Sequence, residues 1–191
     1  GLPLALEFAS QKVKTIGFDL DNDKNSKLNT GENYNQDVSS ELVKQVVKDN
    51  FLSSTSDFSK LKECDAIFIC VPTPFTTNKD PDIRFIVQSA KDVRDNLKKE
   101  QLVILMSTTF PGTTEKYVLP ILEESGLKAG EDFYLAFSPE RIYPGNKVWT
   151  TKNTPVVVGG INEKSTELAA AVTQIAVENI VKVTSPAIAE M

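Results

Sequence analysis

Histidine is absent from the sequence, which excludes His-based acid–base catalysis and most zinc sites from this chain. Cysteine is rare: Cys64 and Cys70 flank one apolar run, which predicts buried free thiols in a reducing compartment and therefore a cytoplasmic protein. Long hydrophobic runs are also lacking. The longest are only as long as a β-strand, so neither a membrane span nor a signal peptide is predicted.

Basic residues are outnumbered by acidic ones. The 21 lysines and arginines stand against 26 aspartates and glutamates, which gives a net charge of −5. Nucleic acids and anionic membranes need a basic face, so neither is predicted as a partner. A small anionic ligand is still compatible with this charge, because backbone N–H groups at the start of a helix can bind it. The composition is otherwise that of an ordinary globular domain.

Strand-like and helix-like segments alternate along the chain. Apolar and β-branched segments predict strands at Val13–Leu20, Asp65–Val71, Leu102–Ser107, Phe133–Phe137, Pro155–Val158 and Ile180–Val183. Apolar residues at helical spacing predict helices at Leu2–Ser10, Ser39–Asp49, Asp82–Lys99, Thr113–Glu124 with a kink at Pro120, and Glu163–Val177. This alternation predicts an α/β fold with a doubly wound, mostly parallel sheet and helices on both faces. Ligands of such sheets bind beyond the carboxyl ends of the strands.

The chain begins directly with a helix. No Ser, Thr, Asp or Asn precedes Leu2 as a cap, only Gly1. Gly1 fits the third glycine of a G-x-G-x-x-G loop, so a first strand and two glycines are expected to precede it. Asp19 ends the next strand, where an acidic residue of a dinucleotide-binding fold accepts hydrogen bonds from the adenosine ribose. Lys24 is a second candidate on the adenosine side. A solvated Asp at a turn and a solvated Lys are the alternative interpretations.

The stretch DNDKNSKLNTGE carries a competing pattern. Asp21, Asp23 and Asn25 alternate, and Glu32 closes the stretch, as in a calcium-binding loop. Two features oppose this interpretation: Ser26 occupies the sixth position, where Gly is needed for the turn, and a strand rather than a helix precedes the stretch. A calcium-binding module is kept as an alternative, and no metal site is assigned.

Polar residues follow two of the other predicted strands. In VPTP, two prolines stiffen the strand exit and hold the Thr73 hydroxyl against a ligand, or simply terminate the strand. In STTFPGTTE, the hydroxyls of Ser107–Thr109 gather at the end of a buried strand. The helix that follows is expected to present free N–H groups to the ligand crevice. Since Thr113 or Thr114 can cap that helix, Thr108 and Thr109 are available for a ligand.

The stretch FSPER follows a further apolar strand. A carboxylate beside a ligand crevice, here Glu140, can act as a base or order a water molecule. An exposed Glu140–Arg141 pair on a loop is the alternative. The stretch VVVGGINEKST places Lys and Ser before a helix but lacks both glycines of the phosphate-binding loop, which excludes an NTPase.

Five stretches together resemble one family. GLPLALEFA, GFDLDNDK, DAIFICVPTP, STTFPGTTE and FSPERIYPGN are similar in order and spacing to the UDP-glucose/GDP-mannose dehydrogenases, the nucleotide-sugar 6-dehydrogenases. The resemblance covers essentially the whole chain and implies the Rossmann-like NAD-binding domain of these enzymes. STTFPGTT and FSPER resemble the UDP-N-acetylhexosamine branch more than the UDP-glucose branch.

The resemblance implies a role for each matching residue. The positions that match NAD contacts are Gly1, Asp19, Lys24, Val71, Thr73 and Thr108. The positions that match catalytic groups, which act together on a water or proton, are Thr108 and Glu140. The positions that match substrate contacts are Glu140, Arg141 and Ile142. Tyr143 departs from the family pattern, because many relatives have a small or acidic residue there.

The family oxidises the C6 alcohol of a nucleotide sugar to the carboxylate with two NAD⁺, through an aldehyde captured by a cysteine. The resemblance implies a UDP-sugar substrate, UDP-N-acetylglucosamine or UDP-N-acetylmannosamine, and a place in surface polysaccharide biosynthesis. Neither cysteine of this chain matches the catalytic one, which belongs to a C-terminal domain, and a catalytic lysine is implied shortly beyond Met191.

The resemblance also implies a domain boundary. Residues 1–184 are expected to form the NAD-binding domain without its first strand, and 185–191 to begin a central helix that forms a homodimer in the full-length protein. The chain alone is expected to be inactive. Two other functions stay open: a UDP-glucose 6-dehydrogenase, and a non-catalytic Rossmann-type nucleotide-binding domain that would keep Asp19 without needing Thr108 or Glu140.

Overall fold

The computed structural model describes residues 1–75, 81–140 and 150–191. The elements up to residue 63 are Leu2–Ser10 (α1), Thr15–Phe18 (β1), Asn22–Asn29 (α2), Ser40–Lys48 (α3), Leu52–Thr55 (β2) and a 3-10 helix at Phe58–Glu63. The next are Ala66–Ile69 (β3), Arg84–Arg94 (α4), Leu102–Leu105 (β4), a π-helical turn at Thr114–Val118, Leu119–Glu123 (α5) and Tyr134–Phe137 (β5). The last are Val156–Gly160 (β6), Glu163–Thr173 (α6), Ile180–Val183 (β7) and Pro186–Ala189 (α7). The predicted alternation of strands and helices is confirmed.

The described residues form two compact units. The first unit comprises residues 1–58, 150–154 and 175–178, and the second unit comprises 59–75, 81–140, 155–174 and 179–191. In the first unit β1 and β2 pair in parallel, from Thr15 opposite Leu52 to Phe18 opposite Thr55. Its hydrophobic core is formed by the buried side chains of Leu6, Ala9, Leu28, Val43, Val46 and Leu52.

The second unit contains a five-stranded sheet in the order β3-β4-β5-β6-β7. All neighbouring strands are parallel except β5 and β6, which pair antiparallel, so the prediction of a mostly parallel sheet is confirmed. Every residue of β4 and of β5 is buried. Strands this apolar need cover on both faces of the sheet, as parallel strands between helices have. The register of β3, β4 and β5 aligns Ile69 with Leu105 and Leu105 with Phe137, so the three strands end level with one another.

Two elements of the first unit differ from the sequence prediction. The stretch proposed as a calcium loop forms helix α2, and a strand, β2, follows α3 where none is predicted. Both escape prediction because neither has an apolar pattern: Leu28 is the buried apolar residue of α2, and Leu52 is that of β2. Hydrogen bonds made by polar side chains attach α2 to β2.

The helix predicted at Thr113–Glu124 is divided into two parts. A π-helical turn at Thr114–Val118 leads into α5, and Pro120 lies in the first turn of α5. Proline has no N–H to donate, and its ring would collide with the carbonyl four residues earlier in a regular helix. The wider turn before Pro120 avoids this collision. The kink expected at Pro120 is therefore a change of helix type directly before it.

Two glycines of β6 permit close packing against the elements that follow. A Cβ atom on Gly159 would lie 2.2 Å from the carbonyl oxygen of Ser185, which caps α7. A Cβ atom on Gly160 would lie 2.4 Å from the backbone nitrogen of Thr166 in α6. Because both neighbours are backbone atoms, no side-chain rotation can make room. Gly159 and Gly160 therefore let β6 lie directly against α7 and the first turn of α6.

We expect Gly159→Ala to lower the free energy of unfolding by about 1–3 kcal/mol or more, because the added methyl group overpacks the contact with Ser185. Gly17→Ala is the matched control, because the Cβ atom added to this strand glycine would lie an acceptable 3.4 Å from the Ser54 hydroxyl. Its effect should stay within about 1 kcal/mol. Urea unfolding of the intact protein measures both values, and equal stability of the two variants would contradict the packing argument.

Candidate functional site

The carboxylate of Asp19 lies at the carboxyl end of β1, in the first unit. Its N–H donates to the Thr55 carbonyl at 3.2 Å, which extends the β1–β2 ladder by one residue. Its Oδ1 accepts the N–H of Asp21 at 2.9 Å. Lys24 Nζ lies 3.8 Å from Asp19 Oδ2, and the Asp19 side chain is 42% exposed. The structure thus brings Asp19 and Lys24 together and leaves the carboxylate accessible to a ligand.

The calcium-loop interpretation of this stretch is wrong. Asp21 is the N-cap of α2, and its carboxylate accepts the N–H groups of Asp23 and Lys24. Asn25 is buried inside the helix and donates its side-chain amide to the Asp19 carbonyl at 2.8 Å. A calcium loop needs these oxygens to converge on one point, whereas here they serve as a helix cap and an anchor.

Asparagines of α2 attach this helix to β2. Asn25 Oδ1 accepts the Ser54 hydroxyl. Asn29 makes a pair of hydrogen bonds with Ser54: its Nδ2 donates to the Ser54 carbonyl at 2.7 Å, and its Oδ1 accepts the Ser54 N–H at 2.7 Å. The spacing of Asn25 and Asn29 places them on one face of a helix. This spacing is the sequence signal that could have identified α2.

Tyr34 is a further residue of this region that the sequence did not single out. Burial raises the pKa of its phenol, and the nearby negative charges of Asp19 and Asp21 raise this pKa further. The phenol is therefore a neutral hydrogen-bond donor close to the Asp19 carboxylate at physiological pH.

Gly1, in the same unit, is the N-cap of α1, and its carbonyl accepts the N–H of Ala5 at 3.0 Å.

In the second unit, the residues after β3, β4 and β5 lie along one edge of the sheet. The hydroxyl of Ser107 accepts the N–H of Val71 at 2.9 Å, which ties the exit of β3 to that of β4. The N–H of Glu140 donates to the Met106 carbonyl at 3.4 Å, which ties the exit of β5 to that of β4. Val71, Thr108 and Glu140 therefore lie on adjacent strand exits, as the parallel register requires.

The predicted residues at this edge differ in exposure. Thr108 is exposed, whereas Val71, Thr73 and Glu140 are half-buried. Arg141 and Ile142, the predicted substrate contacts, lie outside the described residues, as does Tyr143. Ser138, which the sequence did not single out, precedes Glu140 by two residues, and its buried hydroxyl has no hydrogen-bond partner in the described part of the chain. It offers a donor and an acceptor at the same strand exit as Glu140.

The helix start after β4 is not the open anion site that the sequence predicts. The carboxylate of Glu190 accepts the N–H groups of Gly112 and Thr114, so these groups do not face a ligand. Thr113 and Thr114 do not cap the helix either: the Thr113 hydroxyl donates to the Phe110 carbonyl at 2.8 Å, and the Thr114 hydroxyl donates to Glu190 at 2.7 Å. The side chain of Glu190, which is distant in the sequence, binds the free N–H groups of this helix start. No sequence pattern near residue 112 could have predicted this contact.

Both cysteines are free thiols. Burial raises the pKa of Cys70 to about 11, and burial also raises the pKa of Cys64. A thiol with so high a pKa stays protonated at neutral pH and is a poor nucleophile. Burial therefore makes both thiols less reactive.

Comparisons with known proteins identify a family model and sequences that are similar to this chain. A family model described as "UDP-glucose/GDP-mannose dehydrogenase family, NAD binding domain" matches residues 1–177. The UDP-N-acetyl-D-glucosamine 6-dehydrogenase of Salmonella typhi is 35% identical over 169 residues, which are 88% of this chain and 39% of that protein. The UDP-N-acetyl-D-mannosamine dehydrogenase of Campylobacter jejuni is 36% identical over 200 residues, which cover 100% of this chain and 48% of that protein.

Solved structures give the same result. The crystal structure of NDP-N-acetyl-D-galactosaminuronic acid dehydrogenase from Methanosarcina mazei Go1 superposes with a TM-score of 0.92 at 36% identity, over 100% of this chain and 43% of that one. The predicted Rossmann-like, doubly wound fold is thereby confirmed. The chain spans less than half the length of each of these relatives. Within the described ranges, no helix is both long enough and apolar enough to cross a membrane.

We expect Asn25→Ala to destabilise the intact protein by about 1–3 kcal/mol, because it removes two hydrogen bonds and leaves the Asp19 carbonyl without its amide partner. Ser26→Ala is the control, since Ser26 is exposed on the same helix. This substitution should lower the free energy of unfolding by less than about 0.5 kcal/mol. Chemical denaturation of both variants makes the comparison. If Asn25→Ala proved as stable as Ser26→Ala, the anchoring role of Asn25 would be disproved.

Proposed function

The chain belongs to the UDP-glucose/GDP-mannose dehydrogenase family, and from this membership we propose that its protein oxidises the C6 alcohol of a UDP-sugar to the carboxylate. The observation that carries the proposal is the match between residues 1–177 and the NAD-binding domain of the family. Thr108 and Glu140 support it, because they add a hydroxyl and a carboxylate to the sheet edge at which such folds bind ligands.

NAD is the cofactor of the domain family to which the chain belongs. The groups present fit a dinucleotide. In the first unit, the accessible Asp19 carboxylate is suited to accept hydrogen bonds from ribose hydroxyls. In the second unit, Thr108 is an exposed residue at a strand exit. When bound, NAD⁺ supplies the hydride acceptor. The residues proposed to contact it are Gly1, Asp19, Lys24, Val71, Thr73 and Thr108.

Glu140 and Thr108 are the proposed catalytic residues of this chain. The carboxylate of Glu140 would hold or move a proton of the C6 hydroxyl or of a water molecule, and the Thr108 hydroxyl would orient the same group. Thr108 and Glu140 each stand three residues after the last residue of a buried strand, and the register of these two strands is fixed by their pairing. Glu140, Arg141 and Ile142 are the proposed substrate contacts. The reaction also needs a nucleophile to capture the aldehyde, and we propose that neither Cys64 nor Cys70 is this nucleophile.

The proposed substrate is UDP-N-acetylglucosamine or UDP-N-acetylmannosamine, and the product is the corresponding uronic acid. This assignment is supported by the names of the relatives, a UDP-N-acetyl-D-glucosamine 6-dehydrogenase and a UDP-N-acetyl-D-mannosamine dehydrogenase. UDP-uronic acids are sugar donors, so we propose surface polysaccharide biosynthesis as the pathway. UDP-glucose is the competing substrate, and an assay of the intact protein with all three sugars distinguishes them.

The proposed domain boundary lies between residues 184 and 185. Ser185 supports it, because its hydroxyl accepts the N–H of Ile188 and begins a new helix, α7. We propose that this helix belongs to the central helix through which the full-length protein forms a homodimer. We further propose that the protein is cytoplasmic, where free thiols such as Cys64 and Cys70 persist and where NAD and UDP-sugars are available.

The proposed function assigns cofactor selectivity to the Asp19 carboxylate. We expect the intact protein to use NAD⁺ far more efficiently than NADP⁺, because the Asp19 carboxylate repels a 2′-phosphate. Asp19→Ala should raise the KM for NAD⁺ about tenfold to a hundredfold, the value of a hydrogen bond to a charged group. Asp23→Ala, which removes an exposed carboxylate of the neighbouring helix α2, is the control and should leave this KM unchanged.

The measurement is NADH formation with UDP-N-acetylglucosamine, UDP-N-acetylmannosamine and UDP-glucose. Equal kcat/KM with NAD⁺ and NADP⁺ would contradict the role of Asp19. Binding of NADH without turnover of any UDP-sugar would refute the proposed reaction and favour a non-catalytic nucleotide-binding domain.

The second prediction concerns Glu140. We expect Glu140→Gln to lower kcat about a hundredfold to ten-thousandfold, because it removes a positioned acid–base group, while the dissociation constant for NADH changes little. Glu131→Gln is the control, because Glu131 is exposed and paired with Lys128 at 2.7 Å. Steady-state kinetics and NADH fluorescence titration separate the two effects. A Glu140→Gln enzyme with the turnover of the wild type would rule out a catalytic role.

A further inference from the structure

Glu190 is a buried carboxylate that binds three donors of a distant segment. It directly follows α7 and is 8% exposed. One oxygen, Oε1, accepts the Thr114 N–H at 2.8 Å and the Thr114 hydroxyl at 2.7 Å. The other, Oε2, accepts the N–H of Gly112. Hydrogen bonds to a carboxylate are stronger than neutral ones, and these three replace the water that the carboxylate loses on burial.

The donors belong to the segment that carries Thr108. This segment runs from the end of β4 to the π-helical turn at Thr114–Val118. Two further hydrogen bonds hold it internally: the Thr109 hydroxyl donates to the Thr113 hydroxyl at 2.6 Å, and the latter donates to the Phe110 carbonyl. One end of the segment is fixed by the sheet. The other end is fixed by Glu190, whose carboxylate accepts hydrogen bonds from Gly112 and Thr114.

The element that carries Glu190 is itself well anchored. The Ser185 hydroxyl caps α7, and the bare backbone of Gly159 lets the Ser185 carbonyl lie directly on β6. Both anchors lie in the second unit, as do Glu190 and Thr108. Glu190 therefore connects one sheet-bound element, α7, to the far end of the segment that contains Thr108.

We propose that Glu190 is a positioning residue for Thr108: by holding Gly112 and Thr114, it fixes the path of the chain between β4 and the π-helical turn. The inference rests on the proposed function, since it assigns to Thr108 the role given there. Catalysis is sensitive to such fixation, because a displacement of about 1 Å at a reacting group can cost about a hundredfold in rate.

Glutamine is the substitution that tests the carboxylate specifically. A glutamine side chain at this position would have nearly the shape of Glu190 but only one acceptor oxygen, and its NH₂ group would face a second donor. At least one of the three hydrogen bonds must break. We expect Glu190→Gln in the intact protein to lower kcat about tenfold to a hundredfold. The dissociation constant for NADH should stay within about threefold of the wild-type value, because Thr108 is the one of the proposed NAD contacts that lies in this segment.

A second readout does not depend on activity. Amide hydrogen exchange at Gly112 and Thr114, followed by mass spectrometry, should be faster in Glu190→Gln than in the wild type. Glu167→Gln is the matched control, because it removes an exposed carboxylate of the same unit that pairs with Lys182 at 2.8 Å. It should change neither kcat nor the exchange at Gly112 and Thr114. Thr114→Val removes one donor while keeping the side-chain shape, and we expect it to lower kcat severalfold even if Glu190→Gln folds poorly.

A double-mutant cycle separates positioning from general stability. If Glu190 acts through Thr108, Glu190→Gln should lower kcat little further in a Thr108→Ala background. Multiplicative losses would overturn the proposal, as would wild-type kcat in both Glu190→Gln and Thr114→Val. An inactive wild type would refute the proposed function and this role for Glu190 together. An active wild type with an equally active Glu190→Gln variant would refute the role of Glu190 alone.

Discussion

The parallel pairing of β3, β4 and β5 is the constraint on which the second unit depends. The register aligns Ile69, Leu105 and Phe137, so the chain leaves all three strands at one edge. Each buried valine, leucine, isoleucine or phenylalanine of β4 and β5 contributes about 1.5–3 kcal/mol by burial, and an unpaired polar group in its place would forfeit that contribution. Apart from Tyr134, β4 and β5 carry only apolar side chains, and at the strand exits Ser107 and the backbone of Met106 hold neighbouring exits together.

The buried strands and helix α1 can be predicted from the sequence because the apolar patterns that indicate them are local. The apolar residues of β4 and β5 identify buried strands without any knowledge of their partners, and the amphipathic stripe of Leu2–Ser10 identifies α1 with its observed bounds. Once the strands are placed, parallel topology alone brings the residues that follow them to one edge. The location of Thr108 and Glu140 follows from topology, and their proposed roles follow from the family resemblance.

What the sequence could not predict depends on distant contacts or on polar packing. The hydrogen bond between Thr114 and Glu190 joins residues 76 positions apart, and no pattern near either residue indicates the other. Helix α2 lacks an apolar stripe and is held by the amides of Asn25 and Asn29, so hydrophobic periodicity misses it. The π-helical turn reflects the local effect of Pro120, which predicts a disturbance but not its form.

The paired hydrogen bonds between Asn29 and Ser54 have a consequence for self-association. In the part of the chain that the structure describes, β2 pairs with β1 alone, so the N–H and C=O of Ser54 face away from the ladder. Such unpaired groups are a template on which another molecule can add a strand and start aggregation. The amide of Asn29 presents one donor and one acceptor in the places where an incoming strand would present its own. The Asn29 side chain thereby occupies the backbone groups of Ser54 that a strand of another molecule would need at this edge.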